Sequence, residues 1–239
     1  MTTRTHLDLA TRFPHLRTMD LLRGLDSARA DHFINACRVR QYSLPTPVLT
    51  QDILPDSAYI VAKGAVEVSY VSQDGHRAII GLYRAAQVLG VFESIAGKPC
   101  AATAKAMPET VLLAVPNPIL DQFLEEPTFQ RNLAAIACDI LQRDNTAKAV
   151  DQFYSAEQRI CIYLRTFAGS DGTFCQNQSY LANIVGCTRQ TVNRELGQLR
   201  AEGIICQEGG TIRILDPEAL SRRIRALESQ SGTGQKRRG

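Results

Sequence analysis

Apolar residues recur along this chain with two different periods, and the change of period marks where its parts begin. Between about residues 38 and 115, short runs rich in Val, Ile and Tyr alternate with turn residues such as Asp74-Gly75. The runs at 57–62 (SAYIVA), 65–71 (AVEVSYV) and 77–83 (RAIIGLY) are examples. Strands of this length at such spacing predict a small antiparallel roll or barrel. From about 128 to 153 the period becomes helical. No Pro or Gly interrupts this stretch, and Leu133, Ile136, Ile140, Ala147 and Val150 keep a three–four spacing broken at Arg143. Such a stripe suits either a coiled-coil seam or a helix packed on its own domain. Ser155 with Gln158 then forms a capping-box pattern, so a fresh helix starts there, with a hinge near residues 154–156.

The most informative pattern is at residues 178–199 (QSYLANIVGCTRQTVNRELGQL). Leu181, Ile184 and Val185 fall on one helical face, Gly186-Cys187 makes a turn, and Thr188 is placed to cap a second helix. In that helix Val192, Leu196 and Leu199 share a buried stripe. The other face carries Arg189, Gln190, Asn193 and Arg194. Those side chains can fork to guanine O6/N7 or pair with adenine N6/N7, at the end of the helix that enters the major groove in a helix-turn-helix. The same pattern also describes an amphipathic helix with a solvated polar face. The segment after it decides between them: CQEGGTIRIL has two β-rich runs around Glu208-Gly209-Gly210, a hairpin signal. A helix-turn-helix leading into a hairpin is a winged helix, and Gly172-Thr173-Phe174-Cys175 supplies a turn and a short strand for its sheet.

Composition narrows the function classes. The chain has 239 residues, 44% of them hydrophobic, 21% charged and none of them Trp, with a net charge of +3. Such a length allows one or two domains with real cores. The charge gives no global basic field, so positive charge is local: Arg189, Arg194 and Arg200, then Arg222, Arg223 and Arg225. No apolar run approaches the roughly 20 residues of a membrane helix and no signal peptide heads the chain, so a cytoplasmic protein without membrane contact is expected. Seven cysteines without regular spacing read as reduced thiols. No Gly-rich phosphate loop, metal-ligand spacing or nucleophile signature is present, so no catalytic residue, metal or cofactor is expected. Gly97-Lys98 lacks the other residues of a phosphate loop.

A roll, a long helix and a C-terminal winged helix together resemble the CRP/FNR family of bacterial transcription regulators. The resemblance is carried by residues 58–64 (AYIVAKG), 88–106 (VLGVFESIAGKPCAATAKA), 157–164 (EQRICIYL) and 181–196 (LANIVGCTRQTVNREL), within a span of roughly 20 to 220. Asp52 and Ala86 stand where family members usually keep glycines. The resemblance implies an α+β fold: an antiparallel, jelly-roll-like β-roll at 1–126, a dimerisation helix and hinge at 127–154, and a winged helix-turn-helix at 155–222. A disordered basic tail is expected at 223–239. It also implies a homodimer on palindromic double-stranded DNA, with RNA polymerase as a further partner and Thr188, Arg189, Gln190, Asn193 and Arg194 as the DNA-binding set. Gln190 stands where many relatives carry Glu.

The resemblance also places the effector pocket, and there the residues are wrong for a cyclic nucleotide. Val91 falls at the ribose-binding Glu, and Cys100 and Ala101 at the phosphate-binding Arg-Ser pair. An anion without that Arg loses its bidentate partner, so control by cAMP in the usual way is not expected. Asp144 and Asn145 fall where relatives contact the nucleobase. An iron–sulfur cluster needs a close run of N-terminal cysteines, and only Cys37 precedes residue 100. Heme could use His6, His15, His32 or His76, although none lies in the stretch where carbon-monoxide-sensing relatives carry their ligands. The alternative is a cyclic-nucleotide-type or heme- or nitric-oxide-sensing regulatory module whose DNA binding depends on an unidentified effector. Cys187, beside a helix N-terminus and Arg189, is a candidate redox thiol of lowered pKa. Constitutive activity needs no sensor at all.

Overall fold

The computed structural model describes residues 8–234 except 76, 170, 175, 176 and 209, with the backbone alone from 226 to 234. His6, His76, Cys175, Gly209 and the last part of the expected tail, 235–239, lie outside the described residues. The chain divides into two compact units, 1–141 and 142–239.

The first unit opens with α1 (Leu9–Arg12), capped by Asp8, two short 3-10 segments, and α2 (Ser27–Asn35), capped by Asp26. The strands then follow: β1 (Arg38–Tyr42), β2 (Thr46–Leu49), β3 (Ala58–Lys63), β4 (Ala65–Val71), β5 (Arg77–Arg84) and β6 (Val88–Leu89). After α3 (Val91–Ala96) come β7 (Thr103–Ala106), β8 (Thr110–Val115), α4 (Asn117–Leu124) and the long α5 (Pro127–Phe153), whose residues from 142 onward fall in the second unit. The strands form two antiparallel four-stranded sheets, ordered β1-β8-β3-β6 and β2-β7-β4-β5.

Burial explains why 57–62 reads as an unbroken apolar run. One face of β3 and β8 presents Tyr59, Val61, Leu112 and Ala114 to Leu49, Val66, Ala104 and Ala106 of the other sheet. The opposite face presents Ala58, Ile60, Ala62, Leu113 and Val115 to Leu16, Phe33, Leu120, Phe123 and Phe129 of the helices. A strand covered on both faces has no reason to alternate. Asp52 and Ala86 adopt φ of 64° and 69°, the left-handed conformation that glycine takes without strain.

The expected dimer stripe is only partly free. Leu133 is buried in the helix-facing core and Ile136 packs against it, so the start of the stripe serves its own unit. Three–four spacing marks an apolar face without saying which neighbour covers it. The side chains on the next face, Ala134, Cys138 and Leu141, are exposed, Leu141 to 62%.

The second unit contains α6 (Ala156–Phe167), β9 (Thr173–Phe174), α7 (Gln178–Val185), α8 (Arg189–Ala201), β10 (Ile205–Glu208), β11 (Thr211–Ile214) and α9 (Pro217–Gly234). Ser155 and Gln158 make both hydrogen bonds of the capping box at the start of α6. The sheet runs β10-β11-β9, with the hairpin pairing Glu208 to Thr211. Ile160, Leu164, Leu181, Val192, Leu196, Leu199, Ile205 and Ile212 close its core. A boundary at 222 cuts through α9, which continues to Gly234. The expected tail therefore overlaps this helix over 223–234. Leu220 and Ile224, one turn apart, are both buried in the core, and the fully covered Gln158 side chain donates to the Ile224 carbonyl at 3.3 Å.

Candidate nucleic-acid interface

The two helices of the 178–199 segment meet at a turn built from local hydrogen bonds. Asn177 caps α7 by accepting from the Tyr180 N–H. Gly186 ends it with φ 66°, a conformation that suits glycine, and the Cys187 N–H returns to the Ala182 carbonyl. Thr188 Oγ1 then accepts from the Thr191 N–H at 3.1 Å and opens α8. Val192, Leu196 and Leu199 point into the core at 0–2% exposure. Thr188, Arg189, Gln190, Asn193 and Arg194 are all exposed. The structure therefore gathers the five sequence-predicted residues around the first turns of one helix, away from its packed stripe. Cations and amides on a helix N-terminus can donate to phosphate oxygens and to base edges.

Arg194 is not left to wander. Its Nη2 donates to Glu157 Oε1 at 2.5 Å, from the first turn of α6. The Glu157 carboxyl is held below its ordinary value chiefly by its own backbone N–H, then by Ser155 and Arg194, against the opposing effect of burial.

On the flank of α8 lies a polar group that the pattern of apolar residues does not reveal. Glu195 is fully buried; it accepts a weak hydrogen bond from the Cys161 thiol of α6, 3.7 Å away, and faces Arg223 of α9. The same guanidinium donates to Gln198 at 2.8 Å and pairs with Glu202 at 3.1 Å. Glu195, Gln198 and Glu202 recur at helical spacing, which is the one signal in the sequence for such a ridge. Arg222 pairs with Asp216 and Glu218. Two of the basic residues behind the helix-turn-helix are therefore occupied by carboxylates of their own unit.

The Cys187 expectation needs correction. The thiol is half-buried against the winged-helix core, and desolvation raises its pKa, with Arg159 opposing and Glu157 adding to the rise. Burial is the largest of these effects, and it disfavours the thiolate.

In the roll, the expected pocket residues do not converge. Val91 packs into the helix-facing core, Cys100 into the core between the sheets, and Ala101 is exposed. Cys100 is also pinned through its backbone, accepting from Asp52 and donating to Ile53. Burial, together with Glu93, pushes its thiol pKa up. Asp144 and Asn145 are exposed residues of α5 that fall in the second unit. The two described histidines have structural partners: His15 Nε2 donates to the Ala62 carbonyl, and the His32 ring stacks on Phe123. Among the described residues, no three His, Cys, Asp or Glu side chains gather as metal ligands.

Comparison with known proteins bears on both units. Residues 158–223 match the Crp-like helix-turn-helix domain, and residues 39–126 match the cyclic nucleotide-binding domain. The chain belongs to the CRP/FNR family of transcription regulators. It is 25% identical over 203 residues to the cyclic AMP receptor protein of Thermus thermophilus, covering 84% of this chain and 94% of that one. The transcriptional activator Anr of Pseudomonas protegens is 23% identical over 175 residues, covering 69% and 71%. Among solved structures, FixK2 from Bradyrhizobium japonicum superposes with a TM-score of 0.70 at 21% identity, covering 80% of this chain and 97% of that one. In this CRP/FNR regulator the helix-turn-helix match spans α7 and α8, whereas the cyclic nucleotide-binding match spans a roll with Cys100 packed shut inside it.

Proposed function

We propose that this regulator binds DNA sequence-specifically as a homodimer on a two-fold site, with the N-terminal half of α8 in the major groove. The observation that carries the reading is the exposed set Thr188, Arg189, Gln190, Asn193 and Arg194 on one side of a helix whose other side is core. Two such helices enter successive grooves when they lie about 34 Å apart. The exposed Ala134, Cys138 and Leu141, at four- and three-residue steps on α5, support a second copy against that face. Gln190 can donate and accept at once, which suits adenine, whereas Glu can only accept. The half-site is therefore expected to depart from a Glu-type half-site at one base pair.

DNA binding is proposed to be independent of cAMP in the usual mode, because neither Val91, Cys100 nor Ala101 offers the cyclic phosphate a charge. RNA polymerase is the expected partner of the DNA-bound dimer, in the cytoplasm. Selection of bound sequences from a random duplex library tests the reading. The expected result is a two-fold consensus that Gln190→Glu changes at one base pair per half-site, by about 1–3 kcal/mol of discrimination. Enrichment of no sequence would overturn it. A consensus indifferent to Gln190→Glu would remove Gln190 from the reading set.

A further inference from the structure

Arg194 stands one turn after Gln190 on the exposed side of α8, with its side chain 60% exposed. Its partner Glu157 is only 31% exposed and sits on a different helix, two residues beyond the Ser155 cap. The carboxylate is thus anchored at a capped helix start, while the guanidinium is the more exposed member of the pair. Among the described residues only Nη2 of Arg194 is engaged, so its other N–H groups remain available to a base edge or a phosphate.

An unrestrained arginine on a DNA-facing helix is drawn to the nearest phosphate, because neutralising a phosphate releases counterions whatever the sequence. A carboxylate within ion-pair distance offsets that charge and fixes the direction of the planar fork.

Building on the DNA-binding reading above, we propose that Glu157 is a specificity-determining positioning residue. It directs Arg194 toward base edges beside Gln190 and away from non-specific phosphate contact. The ion pair lowers affinity for arbitrary DNA more than affinity for the cognate site.

The test is a set of binding titrations of the full chain on its selected duplex and on a scrambled duplex, across a salt series. Wild type, Glu157→Gln, Arg194→Ala and the double variant are compared, and thermal melting checks that each is folded. Glu157→Gln is expected to bind the scrambled duplex more tightly and to lower the specificity ratio about five-fold, the scale of an exposed ion pair. Its log–log salt slope on scrambled DNA is expected to steepen by about 0.9, one additional phosphate. In the Arg194→Ala background the same substitution is expected to change neither quantity. Glu157→Asp keeps the charge but shortens its reach, and gives the same loss of discrimination if the Gln variant fails to fold. An unchanged ratio and slope, or changes that persist without Arg194, would overturn the inference while wild-type discrimination leaves the DNA-binding reading standing. A wild type unable to tell the two duplexes apart would overturn both.

Discussion

Arg223 of α9 meets the fully buried Glu195 of α8 with Nε 3.5 Å from Oε1, and the same guanidinium reaches Gln198 and Glu202. One side chain from the last helix therefore grips the recognition helix along two of its turns. The grip lies on the flank of α8, beside the core stripe, so it steadies the helix without occupying the exposed set.

Removing one member of a buried pair costs more than removing the charge from both, because the remaining ion loses its compensation. Arg223→Ala leaves the enclosed Glu195 carboxyl without its cation, so that it is either an unpaired buried charge or must take up a proton, and is expected to destabilise the second unit by about 2–4 kcal/mol. Glu195→Gln keeps an acceptor toward Cys161 and leaves Arg223 with Gln198 and Glu202, so its expected loss is under about 1 kcal/mol. Urea unfolding of the two variants checks the order. Equal losses would mean that the shape of the cluster, not its charge, is what matters.

The same carboxyl gives a pH dependence of definite sign. Desolvation raises the Glu195 pKa above its ordinary value of 4.5, against the opposing effect of Arg223. The folded state then holds this proton after the unfolded chain has released it. Stability contributed here falls as pH rises above 4.5, until the folded pKa is passed. Glu195→Gln removes that fall and leaves the other titrating groups in place. Its stability relative to wild type is expected to improve as pH is raised above 4.5 and to level off once the folded pKa is passed. A constant difference across that range would show that Glu195 titrates alike in both states.

Some of these features are written locally in the chain and others are not. The Val192, Leu196 and Leu199 stripe, the Ser155–Gln158 cap and the 57–62 strand are local, and periodicity or a three-residue spacing announces each of them. Glu157 and Glu195 are invisible as functional candidates in the sequence because their meaning lies in Arg194 and Arg223, which are 37 and 28 positions away. The stripe beginning at Leu133 announces an apolar face but not its neighbour, and for Leu133 and Ile136 that neighbour is the core of the chain's own first unit. Cys187 misleads because a helix terminus is legible in sequence, whereas the burial that opposes it is a property of packing. The pocket substitutions at Val91 and Cys100 are legible by resemblance, but their separation into two different cores is not.

Backbone strain offers a test of the roll. Ala86 has φ 69°, a left-handed conformation costing an L-residue about 1–2 kcal/mol, of which glycine's greater unfolded-state freedom would return about 0.5–1. Ala86→Gly is therefore expected to raise stability slightly, by up to about 1 kcal/mol. Gly64→Ala must do the opposite. It has φ 85°, and an added Cβ would lie 2.6 Å from Thr110 Oγ1 and 2.9 Å from Thr110 Cα. Thr110 is immovable there, because its hydroxyl accepts from the Ala65 N–H and donates to the Ala65 carbonyl. Thermal melting of both variants should shift in opposite directions, and a stabilised Gly64→Ala would contradict this account.

The proposed dimer face separates two leucines on the same helix. Leu141 is 62% exposed, whereas Leu133 is 7% exposed within the core of the first unit. Burying a leucine against a second copy stabilises by about 1.5–3 kcal/mol per protomer, so Leu141→Asp should weaken the dimer at least about a hundred-fold. Sedimentation should then find a monomer whose helix content is unchanged, and whose affinity for a two-fold site falls toward that for a half-site. Leu133→Asp places a charge in a closed core instead, and should unfold the first unit before it changes any association. If Leu141→Asp remains dimeric at low concentration, the exposed face of α5 is not the seam. If Leu133→Asp dissociates while its roll stays folded, the stripe that begins at Leu133 serves the partner after all.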